Sequence, residues 1–366
     1  SELIKKLEYI GVTGIALKWF QSYLSERKQL VSILGQVSEE TPIEYGVVQG
    51  STLGPVLFLI YINNILRINV AGELFLFADD TAILFKGNTW EEVFGSASET
   101  LKIVKNWLNQ NSLTINSSKT KYMPIALRQN SEPPLELSLR LHTCNNDLTT
   151  CNCQTIEQVE NYKYLGVIFD SKLKWDKHIR LVKSRLRRLI YPFHKLQEIL
   201  NITEIKTVYC AHAQSIIQYG IIAWGGAYKV YINSLAISQK RIVKIALGKS
   251  SRYPTDKLFK DMGVLTIRKI YVKSLLVFIF NKNPLNFAMH YYQTRNAIHL
   301  NPVVPRIVKT VNLTNAYFIA HLIFRNLPEE LKFPNVKVQS YKRSIMVWLS
   351  DKDEKDVEQL IGSIYR

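Results

Sequence analysis

Cysteine is scarce in this chain. Cys144, Cys151, Cys153 and Cys210 are the four among 366 residues, too few for a disulfide framework at this length. A reducing intracellular compartment, nucleus or cytoplasm, is the simpler expectation. Long apolar runs are missing too. The longest, Val56 to Ile62, falls far short of the ~20 residues that span a bilayer and fits a core helix. No membrane partner is expected. The opening SELIKKLEYIG lacks an initiator methionine and the apolar core of a signal peptide. It reads as the middle of a helix, so the chain is expected to begin inside a domain. No internal repeat and no low-complexity tract is visible. Acid is the other deficit: 30 Asp and Glu face 47 Lys and Arg, a formal charge of +17. That excess favours a polyanionic partner, most commonly nucleic acid; the alternative is a basic surface that serves only solubility. Hydrophobic residues make up 47%, enough to bury a core. At roughly 100–200 residues per domain, the length suggests about two or three domains.

Apolar spacing organises the rest. Leu3, Leu7 and Ile10 form one helical stripe and Ile15, Leu17, Trp19, Phe20 and Tyr23 another, broken near Gly11–Gly14. Gln29 to Ile33 and Ile43 to Val48 read as short strands. In GVVQGSTLGPVLFLIYINNIL, Gly50 to Gly54 is a turn and Ser51 and Thr52 are cap candidates. Pro55 falls in the first helical turn, where a missing N–H is tolerated. ELFLFADDTAILF sets two aromatic and branched runs around Ala78-Asp79-Asp80-Thr81, a hairpin with acids at its tip. Glu91 to Asn109 predicts an amphipathic helix, and Leu113 to Met123 a turn and a strand, the turn stabilised by Asn116. The chain is polar from Arg128 to Asn152, with strands expected near Leu135–Leu141 and Thr155–Val159. NYKYLGVIFD predicts one strand. From Leu173 the pattern becomes helical and strongly basic. It stays mostly helical to Arg366, with breaks near Asn201, Gly248–Pro254, Asn281–Pro284, Asn301–Pro305 and Pro328.

An Asp-Asp dipeptide alone is more often an exposed turn or cap than a catalytic pair. Here the setting matters. Neighbouring carboxylates repel each other unless a cation lies between them. Two hydrophobic strands would hold that repulsion in a rigid, partly buried place. A hard divalent ion such as Mg²⁺ relieves it, because it prefers oxygen ligands and keeps waters that a phosphate can replace. Two such ions about 3.5–4 Å apart can activate a primer hydroxyl and stabilise a departing pyrophosphate.

Phe77-Ala78-Asp79-Asp80 resembles the aromatic-x-Asp-Asp signature of reverse transcriptases, which in the non-LTR (LINE-type) branch takes this FADD form. GVVQGSTLGPVLFLIYIN is similar to that branch's GxPQGSxLGPxLFxxYIN segment, with Val48 where the family usually has proline. LTINSSKTKYM resembles its Leu-x-Asn-x-x-Lys-Thr strand, and YKYLGVIFDSKLKWDKHI its primer-grip strand and the start of its thumb. QYGIIAWG, the Gln-Lys-Arg at Gln239 and FRNLP from Phe324 resemble the tail of insect-type elements.

That resemblance implies an α+β fold: a partial polymerase palm of antiparallel sheet with helices, then a helical thumb and a helical C-terminal region. Residues 1–127 would be the palm, 128–171 a polar hairpin and the primer-grip strands, and 172–250 the basic thumb. Residues 251–366 would form the C-terminal region, to which no role is assigned. The implied activity is DNA synthesis from deoxynucleoside triphosphates on an RNA template and a DNA primer, primed at a nicked chromosomal site, with two Mg²⁺ ions in the intact enzyme.

The resemblance also assigns residues. Asp79 and Asp80 would hold metal. Gln49, Gly50, Phe77 and Ala78 would lie against the nucleotide and template base, the Gln49 amide offering both a donor and an acceptor. Lys119 would neutralise triphosphate charge or protonate pyrophosphate. The alternatives there are a solvated strand-end lysine, or Lys121 in that role. Tyr164, Leu165 and Gly166 would grip the primer end. Lys174, Lys177, Arg180, Lys183, Arg187 and Arg188, interleaved with Trp175, Tyr191 and Phe193, would track the duplex backbone. The family's palm carries a further metal-binding aspartate on a strand ahead of the helix that opens this chain. Glu2, Glu44 and Asp170 lack the setting to replace it. The expectation is therefore a fragment with little polymerase activity by itself that keeps salt-sensitive nucleic-acid binding. The alternative is a non-catalytic nucleic-acid-binding remnant of a decayed or domesticated element. His142, Cys144, Cys151 and Cys153 match no zinc-knuckle spacing. The oligomeric state is not legible.

Overall fold

Glycine and a few capping side chains punctuate the first sixty residues. Helix α1 (Glu2–Tyr9) buries Leu3 and Leu7, four residues apart on one face, and the chain leaves it through Gly11 at φ +98°. Helix α2 (Gly14–Leu24) stacks Trp19 on Tyr23 at 5.1 Å between ring centroids, again an i, i+4 pair, yet buries none of its residues. Two nested antiparallel pairs follow: β1 (Lys28–Gln29) with β4 (Thr41–Pro42), and β2 (Ser32–Ile33) with β3 (Gln36–Val37). The inner turn places Leu34 and Gly35 at positive φ. The strand expected over Ile43–Val48 does not form among the described residues. Gly46 sits at φ +86°, and the Arg27 guanidinium takes the carbonyls of Tyr45 and Gly46 that a neighbouring strand would use.

The structure, a computed structural model, describes residues 2–43, 45–126, 132–142, 153–282, 316–332 and 336–362. Helix α3 (Leu53–Ile62) runs into a 3₁₀ turn at Asn63–Arg67. Leu57 and Ile62 are buried, but Val56 and Leu59 are exposed, so the apolar run expected as a core helix covers a core on one side only. Strands β5 (Glu73–Phe77) and β6 (Asp80–Leu84) form an antiparallel hairpin. Helix α4 (Trp90–Gln110) starts at Thr89, whose hydroxyl accepts from the Glu92 N–H. It buries Phe94, Ala97, Thr100 and Val104, a stripe at helical spacing. Strand β8 (Arg140–Leu141) pairs antiparallel with β9 (Gln154–Thr155), and β7 (Lys121–Tyr122) parallel with β10 (Glu157–Gln158). Leu139, Leu141 and Ile156 close over Phe94 and Ala97.

The chain divides into two compact units, residues 1–122 with 132–158 and residues 123–131 with 159–366. In the second, NYKYLGVIFD folds as two strands rather than the one expected. Strand β11 (Asn161–Tyr164) turns back into β12 (Val167–Asp170) through Leu165 and Gly166 at φ +45° and +81°. A two-residue turn with both centres at positive φ matches the twist of a hairpin, and its apolar Leu-Gly carries little of the usual polar turn signal. Asp170 then shapes the exit. Its carboxylate accepts from the N–H groups of Lys172, Lys174 and Trp175, at 3.2, 2.9 and 2.7 Å. Leu173 and Trp175 both adopt positive φ there, so helix α5 (Asp176–Arg188) begins later than the basic pattern suggested. Helix α6 (Ile190–Gln197) contains Pro192 and is a separate segment.

Helix α7 (Ile202–Val208) is capped by Asn201 and Glu204 reciprocally. A π-helical turn, Tyr209–Gln214, leads into α8 (Ser215–Gln218), then α9 (Ile221–Trp224), α10 (Lys229–Ala246), α11 (Thr255–Met262) and α12 (Ile267–Lys282). Helices Ala316–Arg325, Glu329–Lys332, Val338–Asp351 and Glu354–Leu360 complete the described residues. One core runs from Val167 to Ile361, so residues on both sides of 250 share it. Two buried polar side chains knit it. Gln239 donates to Tyr209 Oη (2.8 Å) and the Leu265 carbonyl (2.9 Å) and accepts from Ile267 N–H (3.1 Å). Arg268 donates to Glu358 (3.0 Å) and to the carbonyls of Gly225 (2.7 Å) and Ala227 (3.1 Å). The chain is thus mixed α and β, helical in its greater part with small, mostly antiparallel sheets. No described helix is long and apolar enough to cross a membrane.

Candidate active site and nucleic-acid interface

The β5–β6 hairpin places the acid pair. Phe77 pairs with Asp80, leaving Ala78 and Asp79 as the turn, with Ala78 at φ +52°. Leu76 and Ile83 on one face pack against Ile62, Ile65 and Val104, which fixes the hairpin on α3, the 3₁₀ turn and α4. The other face is open. Phe75 and Phe77 are 48% and 62% exposed, and Asp79 and Asp80 are exposed too. The partly buried setting expected for the pair is therefore not found in this unit, because the packing stops short of the hairpin tip. Two adjacent carboxylates supply hard oxygen donors, which suits Mg²⁺. Among the described residues no third His, Cys, Asp or Glu joins them, so the pair provides part of a coordination shell. Asp170 is committed to its three N–H donors, and Glu2 to Lys5 at 2.7 Å. Glu44, Cys144 and Cys151 lie outside the described residues.

The loop bearing Gln49 and Gly50 enters the opposite end of α3. Ser51, one of the two cap candidates, does the capping: its hydroxyl accepts from Gly54 N–H (2.9 Å) and donates to the Val48 carbonyl (2.8 Å). A Cβ on Gly54 would stand 2.6 Å from that carbonyl oxygen, so only glycine lets the helix start this close to the loop. Gly50 sits at φ +80°, and it and Gln49 are exposed. Arg27, which holds the loop's other side, carried no sequence signal, whereas Ser51 was one of the two cap candidates.

Lys119 lies on a turn built by Asn116, whose side-chain oxygen accepts from Ser118 Oγ (2.7 Å) and Lys119 N–H (3.2 Å). The rival, Lys121, is mostly covered and ion-paired with Glu157 across the β7–β10 pair.

Residues 1–169, which include the acid pair, the Gln49 loop and the β11 hairpin turn, match the family described as reverse transcriptase (RNA-dependent DNA polymerase). That match takes in a little under half of the chain and every motif of the first unit named above. The chain is 24% identical over 254 residues to a probable RNA-directed DNA polymerase from transposon X-element of Drosophila melanogaster, covering 68% of this chain and 26% of that protein. It is 27% identical over 258 residues to the RNA-directed DNA polymerase from mobile element jockey of the same fly, covering 67% and 26%. A retrovirus-related Pol polyprotein from the type-1 retrotransposable element R1 2 of Nasonia vitripennis is 28% identical over 159 residues, covering 42% and 36%. All three of these similar proteins are named for mobile elements, two of them as RNA-directed DNA polymerases. The chain spans about a quarter of the length of the X-element and jockey relatives it matches.

In the second unit, the Tyr164, Leu165 and Gly166 segment forms the last residue of β11 and the hairpin turn. Beneath β12, the Nδ1 of His178 accepts from Ile168 N–H at 3.2 Å, and its ring packs on Trp224 at 5.5 Å. Burial, with Arg185 nearby, pushes the His178 imidazole down to about 4, consistent with a neutral acceptor. Helix α5 turns His178, Ile179, Val182 and Leu186 into the core. That leaves Lys177, Arg180, Arg187 and Arg188 exposed and Lys183 and Arg185 half-buried, with exposed Lys174 just before the helix and Tyr191 just after it. Arg180 is ion-paired with Asp176 one helical turn earlier, at 2.5 Å. Trp175 and Phe193 are core residues, so of the three interleaved aromatics only Tyr191 faces solvent.

Proposed function

We propose that this chain is part of an RNA-directed DNA polymerase of a non-LTR retrotransposon, joining deoxynucleotides to a DNA primer on an RNA template. The observation that carries the reading is the Asp79–Asp80 pair at the tip of an antiparallel β-hairpin inside the part of the chain that matches the family. In this reading Asp79 and Asp80 hold Mg²⁺, which lowers the charge cost of nucleotidyl transfer when it is bound. Gln49 and Gly50 contact nucleotide and template, with Phe77 and Ala78 beside them. Lys119 meets the triphosphate, and Tyr164, Leu165 and Gly166 hold the primer end. The exposed cations of α5 and Lys174 neutralise duplex phosphates without reading sequence.

Two-metal catalysis needs more carboxylate than this pair offers. In this reading the chain by itself extends primers little or not at all. Manganese binding tests the metal role. Paramagnetic broadening centred on residues 77–81, lost in Asp79→Asn, is the expected result; no broadening there overturns it. Primer extension on RNA with Mg²⁺ tests the incompleteness. Robust extension abolished by Asp79→Asn would show the chain is complete for chemistry. Duplex affinity should fall steeply with salt. Reversing the charges of Lys177, Arg180, Arg187 and Arg188 should reduce the log–log slope by about one for each phosphate no longer neutralised. An unchanged slope removes α5 from the interface. A chain that binds duplex but no metal is the non-catalytic remnant instead.

A further inference from the structure

Tyr219 reaches across the sequence to the hairpin turn assigned above to the primer end. Its hydroxyl donates to the Leu165 carbonyl at 2.5 Å, a contact between residues 54 apart in the chain. Its ring lies over Gly166, where an added Cβ would be 3.3 Å from a ring carbon. The next residue, Gly220, is at φ +61° and leaves just enough room for the Val167 side chain, which would stand 3.0 Å from a Cβ added there. Tyr219 is itself anchored, because the indole N–H of fully buried Trp224 donates to its carbonyl at 3.0 Å. Trp224 also packs on His178, which holds the Ile168 N–H, so the tip and the second strand of the hairpin are gripped from one rigid base.

Yet Tyr219 is 55% exposed, unlike Trp224 and Tyr209, which are fully buried. An aromatic so exposed adds little to the core. What it does add is direction, since a carbonyl held by a hydroxyl fixes the peptide plane between Leu165 and Gly166. The Tyr164–Val167 pair closes the turn at its base, and among the described residues the hairpin has only two strands to stiffen it.

We propose that Tyr219 is a positioning residue: it sets the Leu165–Gly166 turn, and through that turn the lie of a primer 3′ end. The inference rests on the primer-grip reading of Tyr164, Leu165 and Gly166. The test uses the full chain and an RNA template annealed to a DNA primer whose 3′-terminal base is 4-thiothymine. Affinity, melting temperature and the site of photo-cross-linking are measured for wild type and Tyr219→Phe. Wild type should cross-link within residues 162–168. The variant should keep affinity and melting temperature while the yield at that segment falls about fivefold, the scale of one lost hydrogen bond. Unchanged yield and position in the variant overturns the role of Tyr219 and leaves the grip reading intact. A melting loss as large as that of Asp170→Ala makes Tyr219 a stability residue and also overturns it. Wild-type cross-links that fall elsewhere, or no duplex binding, overturn the grip reading itself.

Discussion

The two units use apolar residues in opposite ways. The first spreads them over three small clusters and leaves Ile15, Trp19, Phe75, Phe77 and Leu84 exposed. The second gathers its own into one core with Trp224, Tyr209 and Tyr271 at full burial, and crosses it with the Gln239 and Arg268 networks. The lesson is that stability and chemistry sit in different places. The acids proposed to bind metal stand on an open hairpin, while the tail motifs of the second unit are structural hubs.

Removing a hub should show that contrast at its largest. Arg268→Met removes the buried guanidinium from Glu358 and from the Gly225 and Ala227 carbonyls, and should cost about 3–5 kcal/mol in urea unfolding of the second unit. The first unit's hydrogen exchange should not change; parallel loss in both would break the comparison.

Next comes pH. The imidazole of folded His178 is held well below its ordinary value of 6.5, at about 4, so the unfolded chain takes up the proton first as pH falls. The second unit should therefore lose stability between about pH 6.5 and 4, by at most ~3 kcal/mol, and flatten below that. His321, also lowered by burial, acts in the same sense. His178→Gln should remove most of the slope, and a slope that persists unchanged would place it elsewhere.

A smaller effect is expected at Gly54. The added methyl of Gly54→Ala meets the Val48 carbonyl, and should cost about 1–3 kcal/mol and displace the Gln49 loop. Amide shifts confined to residues 46–56 would confirm that displacement. The smallest belongs to Phe77→Ser, within about 0.5 kcal/mol, because the ring is mostly in solvent. A cost rivalling that of Arg268→Met would mean the hairpin's outer face is packed, and the contrast between the units would fail.

Much of the candidate site could be read in advance because its signals are local. Acids between two apolar strands, a cap candidate at Ser51, and Asn116 on its turn each act over a few residues. The β11–β12 turn was missed because Leu165-Gly166 looks like strand, and positive φ leaves no mark on an apolar residue. Asp170 was discounted as a metal ligand for want of an apolar strand around it, yet it ends β12, and its grip on three N–H groups depends on a turn that no spacing displays.

The sequence by itself determined the helix breaks at Asn201, Gly248–Pro254 and Pro328, where the acids fall and which branch of transcriptases the motifs resemble, since those follow from short-range periodicity and residue type; the break expected at Asn301–Pro305 lies outside the described residues. Tertiary structure alone decided that residues on both sides of 250 share one core. It also decided that Gln239 and Arg268 are buried and that Tyr219 meets Leu165. Such contacts join residues tens of positions apart, and burial at that range is a property of packing that no local pattern encodes.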